Sequence, residues 1–177
     1  MVERVVERGR EPEPEELIYE RIYRWHQDKS RRMAEGKVVV RGKDVPWEQS
    51  RQGLLKFIVT QLNWNEVGAP GWFIFVHDIR RHSGRHTHQG GLGIFVLEGK
   101  GYTVVNGVRH DWEAGDLIIL PVMPGGCEHQ HFNAEPGKPC LWCAFIYDPF
   151  RDAMGSSIQQ KEVHPDWSGP TEMPHVT

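Results

Sequence analysis

The 177 residues are 38% hydrophobic, 25% charged and 10% aromatic, proportions of one ordinary globular domain able to bury its own core. Twenty-one Lys and Arg against 24 Asp and Glu leave a formal charge of -3, so no basic excess argues for nucleic acid or an anionic membrane as partner. No apolar run approaches the ~18 residues of a membrane span, and the charged, proline-punctuated start lacks the pattern of a leader, so the expectation is a soluble cytoplasmic protein. Cys127, Cys140 and Cys143 make a sparse, odd set that cannot build a disulfide framework, which fits a reducing compartment.

Residues 1 to 13 are charge-dense with no sustained period and read as a loosely docked arm. From Pro14 the pattern predicts a helix. Glu15 and Glu16 suit its first turn, and Leu17, Ile18, Ile22, Trp25 and His26 recur at helical spacing. Arg31 and Arg32 suit its end and Gly36 its stop. The narrow apolar stripe predicts a brace lying across something larger. After Gly36 short branched and aromatic runs bounded by Gly, Pro, Asn or Asp predict strands near 37–41, 54–62, 72–79, 85–88, 92–98, 101–105, 108–112, 117–120, 127–133 and 140–147. Asn106-Gly107 between two of them is a two-residue hairpin signal. Ten strands with no interrupting helix predict an antiparallel all-β sandwich or barrel. The division expected is an arm and helix over 1–36, a barrel over 37–148 and a proline-rich extension over 149–177 that wraps the surface or docks on a neighbour.

Histidine locates the chemistry: seven of the ten lie between His77 and His131. His86 and His88 are two apart in a predicted strand, so both imidazoles point to one face and can share a cation. His129 and His131 repeat that spacing in a second strand, which a small barrel could bring into the same shell.

Gly84-Arg-His86-Thr-His88, followed by Phe95-Val-Leu-Glu-Gly99-Lys-Gly101, resembles the first motif of the cupins; Gly115-Asp116, Pro121, Gly126, His129 and Asn133 resemble their second. The resemblance implies a double-stranded β-helix, a jelly-roll barrel whose histidines hold one divalent transition metal. The glutamate usual in the first motif falls on Leu92, so the shell implied is three neutral imidazoles, with positions open for a chelating anionic guest and O₂. More narrowly, the run from His86 through Gly101-Tyr-Thr-Val-Val-Asn-Gly-Val-Arg to His129-Gln-His131-Phe-Asn133 and Trp142 is similar to the metal-binding cupin of gentisate 1,2-dioxygenases, in a single-cupin chain. That likeness implies His86, His88 and His129 as ligands of Fe(II), His131 as a neighbouring acid/base, and an aromatic substrate opened with O₂. It also implies a homodimer with residues 1–40 or 150–177 at the interface. Mn, Ni and Zn suit the same imidazoles, so a non-oxidative lyase, isomerase or decarboxylase and a non-catalytic ligand-binding cupin stay open as alternatives.

Arg80 and Arg85 precede or open the first histidine strand and are candidates to receive a substrate carboxylate, with Arg81 beside them. Trp142 is a candidate aromatic wall, and Cys127, two residues before His129, a candidate pocket residue. Cys140 and Cys143 read as core cysteines, because no second CxxC completes a zinc site. His77, His82 and His110 read as surface or hydrogen-bonded histidines.

Overall fold

A computed structural model describes residues 17–171, so the arm expected over 1–13 and the start of the helix expected from Pro14 lie outside the described residues. Within them α1 runs Ile18–Glu35 and stops at Gly36. Gly36 is not in the left-handed conformation of a common helix cap; it is required by close approach, since a Cβ there would sit 2.4 Å from the Val67 carbonyl carbon. Lys37 N–H donates to the Glu66 carbonyl at 2.8 Å, and Gly68 N–H to the Lys37 carbonyl at 3.1 Å, fixing the helix end to the 3-10 turn Trp64–Glu66. The helix buries none of its residues, so it does not lie across the barrel as its stripe predicts; Ile18, Ile22 and Trp25 are exposed.

Two antiparallel sheets follow. The first orders β1 (Glu48–Ser50), β2 (Gly53–Val59), β3 (Trp72–Asp78), β10 (Leu141–Tyr147), β5 (Leu92–Glu98) and β8 (Leu117–Leu120). The second orders β11 (Gln159–Glu162), β4 (Arg85–His88), β9 (Cys127–Asn133), β6 (Lys100–Val105) and β7 (Val108–Glu113). Together they form an all-β jelly-roll barrel with an N-terminal helix. From β3 to β6 and again from β7 to β11 consecutive strands alternate between the two sheets, as a double-stranded β-helix demands.

Alternation decides what each strand contributes. Leu92, Ile94 and Val96 of β5 point into the core with Ile79, Trp112, Leu120, Trp142, Ala144 and Ile146, whereas Phe95 and Leu97 point out. Between β6 and β7 the two-residue turn forms with Asn106 at φ 46° and Gly107 at φ 82°, the positive values its twist requires.

Two expectations are corrected, and β1 is a strand the sequence does not announce. Residues 37–41 form no strand: Val38 is 94% exposed, and a valine run without a facing edge has nothing to pair with. β1 is too short and polar to show a period. The stretch after Asp148 is not a featureless wrap either: α2 (Asp148–Ala153), with proline in its first turn, leads to β11, which pairs with β4. Residues from this segment complete the wall of the barrel's cavity.

Candidate metal centre and cavity

In β4 the inward positions are His86 and His88, in β9 they are Cys127, His129 and His131, and the two strands pair with His86 opposite His129. This register brings three rings together, with centroids 4.3 Å apart for His86 and His129, 4.7 Å for His88 and His129, and 5.1 Å for His86 and His88. One ring nitrogen from each lies within 4.8 Å of the other two. Among the described residues no carboxylate joins the cluster; at the position where the cupin motif usually carries glutamate stands Leu92, 7% exposed on the cavity wall.

The hydrogen bonds prepare these rings as ligands. His88 Nδ1 meets the Gln89 carbonyl at 2.6 Å and His129 Nδ1 meets the Cys127 carbonyl at 3.0 Å. A carbonyl only accepts, so both rings carry their proton on Nδ1 and keep the Nε2 lone pair free. His86 Nδ1 is buried with no hydrogen-bond partner, an unmet polar demand inside the cluster. Burial holds all three below the ordinary histidine range, His129 to about 4, with neighbouring imidazoles adding to the effect on His86 and His129. Neutral imidazoles with free lone pairs fit a divalent transition metal.

His131 lies deeper and outside the trio, its ring 5.4 Å from that of His129 and 4.9 Å from that of Trp142. The Trp112 indole N–H donates to Thr103 Oγ1 at 2.9 Å, and Thr103 Oγ1 lies 2.8 Å from His131 Nδ1. The hydroxyl accepts from the indole and is left with one lone pair and its proton, either of which can meet His131 Nδ1. Thr103→Val keeps the shape but leaves the indole N–H and His131 Nδ1 buried without partners. The expected cost is about 1–3 kcal/mol of stability, read by urea unfolding. Thr103→Ser should restore most of it; a valine variant as stable as the parent would show that this chain of bonds does not form.

The four histidines line one side of a cavity of about 540 Å³ between the sheets. Its other side is apolar: Phe57, Phe73 and Phe75 from β2 and β3, with Ile94, Ala144 and Ile146. The phenylalanines touch one another, with Phe73 and Phe75 centroids 5.0 Å apart, and Phe75 meets Trp142 edge-on at 5.7 Å. Polar residues of β1, the turn after it and the C-terminal segment, among them Glu48, Gln52, Arg151 and Gln160, complete the lining, and a cavity of this volume with aromatic residues in its wall suits a planar molecule of one ring. Trp142 is thus on the cavity wall, and its indole nitrogen is buried without a partner.

Other candidate residues fall elsewhere. Arg85 is corrected as a substrate group: with His86 and His88 inward it must point outward, where it pairs with Glu128 at 3.1 Å and Glu162 at 3.6 Å. Arg80 is likewise outside, exposed and 3.5 Å from Asp78. Cys127 faces inward but is fully buried in the hydrophobic core and absent from the cavity wall. Burial raises its thiol, and raises Cys140 to about 12 and Cys143 to about 11, so all three are packed, inert thiols.

Two cavity residues were not expected from the sequence. His77 is 2% exposed, lines the cavity and meets Trp142 edge-on at 4.9 Å; burial, then the charge of His164, lower it to about 3. Its signal was available, since Phe73, Phe75 and His77 alternate along β3 on the face that turns inward. Arg151, on the helical turn after β10, also lines the cavity. Its segment has no usable period, so nothing in the sequence placed it there.

Residues 75–147 match the family model of the cupin domain. No curated protein matches the chain. Among solved structures, a mutant salicylate 1,2-dioxygenase from Pseudoaminobacter salicylatoxidans in complex with gentisate is 23% identical with a TM-score of 0.49, over 84% of this chain and 39% of that one. This chain therefore spans well under half of that enzyme. The polyketide cyclase RemF from Streptomyces resistomycificus is 18% identical with a TM-score of 0.51, over 73% of this chain and 89% of that one. The Streptomyces nucleoside dehydratase Pac13 is 11% identical with a TM-score of 0.50, over 72% and 92%. At these identities the last two share the fold.

Proposed function

We propose that this chain, whose residues 75–147 match the cupin domain, is an Fe(II)-dependent dioxygenase that uses O₂ to cleave a C–C bond of a phenolic or hydroxylated aromatic substrate held at His86, His88 and His129. The observation that carries this reading is the carboxylate-free trio of neutral imidazoles at the polar end of an aromatic-walled cavity. Three neutral ligands leave a cation's charge uncompensated, which favours an anionic chelating substrate such as a phenolate. Fe(II), when bound there, supplies the redox chemistry that couples O₂ to opening of the ring.

The chain's own residues bind and orient. Phe57, Phe73, Phe75 and Trp142 would hold the ring flat and keep water from its face. His131, held at Nδ1 by Thr103, would exchange a proton at Nε2 with a substrate oxygen. We also propose that the chain works as a homodimer, supported by the exposed apolar residues of α1; light scattering would then give twice the 20.4 kDa chain mass, and a mass of one chain would refute it.

The test is elemental analysis of protein purified without chelator, followed by oxygen-electrode measurements on gentisate, salicylate, catechol and hydroquinone after anaerobic Fe(II) loading. Oxygen uptake with iron and one of these substrates is expected. Tightly bound Zn, Mn or Ni with no uptake would replace the reading by a non-oxidative metal enzyme, and no metal at all by a ligand-binding cupin.

A further inference from the structure

We propose that the cavity takes a one-ringed substrate bearing a short alkyl chain opposite its chelating oxygens, the chain lying on the stacked rings of Phe57 and Phe73. The inference rests on the proposed chelation for the near end of the ligand and not on turnover.

An apolar cavity of about 150 Å³ is enough to hold benzene. The cavity here is about 540 Å³, so one aromatic ring fills roughly a third of it. What occupies the rest follows from which walls still present surface. On β5 and β10 the cavity-lining Ile94, Trp142 and Ala144 are already covered, at most 3% exposed. The inward aromatics of β2 and β3 are not: Phe57, Phe73 and Phe75 line the cavity and are only half-buried.

The three rings divide between two places. Phe75 meets Trp142 at 5.7 Å, and Trp142 meets His131 at 4.9 Å, so this pair stands next to the histidines. Phe73 lies one inward position further from the His77–Trp142 pair than Phe75 does, a step of about 7 Å along β3, and stacks on Phe57 at 6.0 Å with 15° between the planes. Water is a poor occupant of that end. The rings offer it no hydrogen-bond partner, and the backbone of β3 is paired on both sides, with β2 and β10. A ring chelated through two adjacent oxygens turns its opposite edge away from the histidines of the second sheet and toward the first sheet, which carries Phe57 and Phe73. An apolar chain on that edge covers both rings. A polar chain would have to turn instead to Glu48, Gln52 and Gln160, on β1, the turn after it and β11.

The test is binding to the full chain loaded with Zn(II), which needs no oxygen chemistry, read by calorimetry. The probes are catechol, 4-butylcatechol and the catechol with a propionate tail at the same carbon. Each buried methylene is worth about fourfold, so the butyl compound should bind wild type at least about 30-fold tighter than catechol, and the propionate compound no tighter than catechol. Phe57→Ala and Phe73→Ala should each cut the butyl gain to about fivefold, with zinc content unchanged and catechol affinity within about threefold. Phe73→Leu keeps an apolar wall and should retain a gain of at least about 15-fold. Equal binding of catechol and the butyl compound, a gain untouched by both alanine variants, a propionate tail preferred to butyl, or no binding of any probe would each overturn the seat. A butyl gain that depends on Phe57 and Phe73, without oxygen uptake on any probe after Fe(II) loading, would uphold the seat and refute the dioxygenase.

Discussion

His88→Ala is expected to remove tight metal binding, from one ion per chain to a site weaker by at least about 100-fold, with no oxygen uptake left to measure. The trio has no fourth protein ligand to compensate, since the usual glutamate position is Leu92 and no acid joins the cluster among the described residues. His131→Gln is the matching control. His131 Nδ1 is engaged by Thr103 and the residue stands outside the cluster, so its loss should leave metal content at the wild-type value while lowering turnover. Metal content by mass spectrometry of the two variants separates the roles. Full metal in His88→Ala, or equal loss in both, would break the assignment of three ligands and a separate neighbour.

The metal cluster was legible because strands write their geometry into the sequence with a period of two. Spacing alone puts His86 and His88 on one face of their strand and His129 and His131 on one face of theirs, and the same alternation turns Arg85 to the face opposite the first pair. The cross-strand register that sets His86 opposite His129 could not be read, because it depends on the sheet order β4-β9-β6 rather than on either strand. His131 illustrates the same limit: its spacing matches His129, yet the hydroxyl of Thr103, 28 residues earlier in the chain, separates their roles. Strands with apolar alternation were visible to within a few residues. Short polar β1 and β11, and α2, were not, since they are held by neighbours: β11 by pairing with β4, and α2 by Gly71 and the loop after His88. Arg151 entered the cavity by that route. The valines at 38–40 failed in the opposite sense, with strand propensity but no edge to join.

Acid should unfold the metal-free protein at mild pH, and the cause is the same histidine cluster. His77 is lowered to about 3, chiefly by burial and then by the charge of His164, and His129 to about 4, chiefly by burial and then by His88. Above the ordinary value of 6.5 both folded and unfolded chains hold these rings neutral, so they add no pH dependence. Below it the unfolded chain takes up protons that the folded chain refuses until its own lower values are reached. The unfolded state then binds more protons, and stability falls as pH falls. At pH 5 each of the two rings, 1.5 units below the unfolded value, removes about 2 kcal/mol, or about 4 kcal/mol together. His86 and His131 are shifted in the same direction by burial and add to the loss. Against a typical domain stability of about 5–15 kcal/mol this brings the chain close to unfolding near pH 5. Denaturant midpoints of chelator-treated protein between pH 7.5 and 5 would measure it, with His77→Gln expected to reduce the slope by up to about 1.4 kcal/mol per pH unit because one titrating ring is gone. A midpoint that stays constant over that range would mean that these imidazoles are not held neutral in the folded barrel, and the preparation of the site for a metal would have to be abandoned with it.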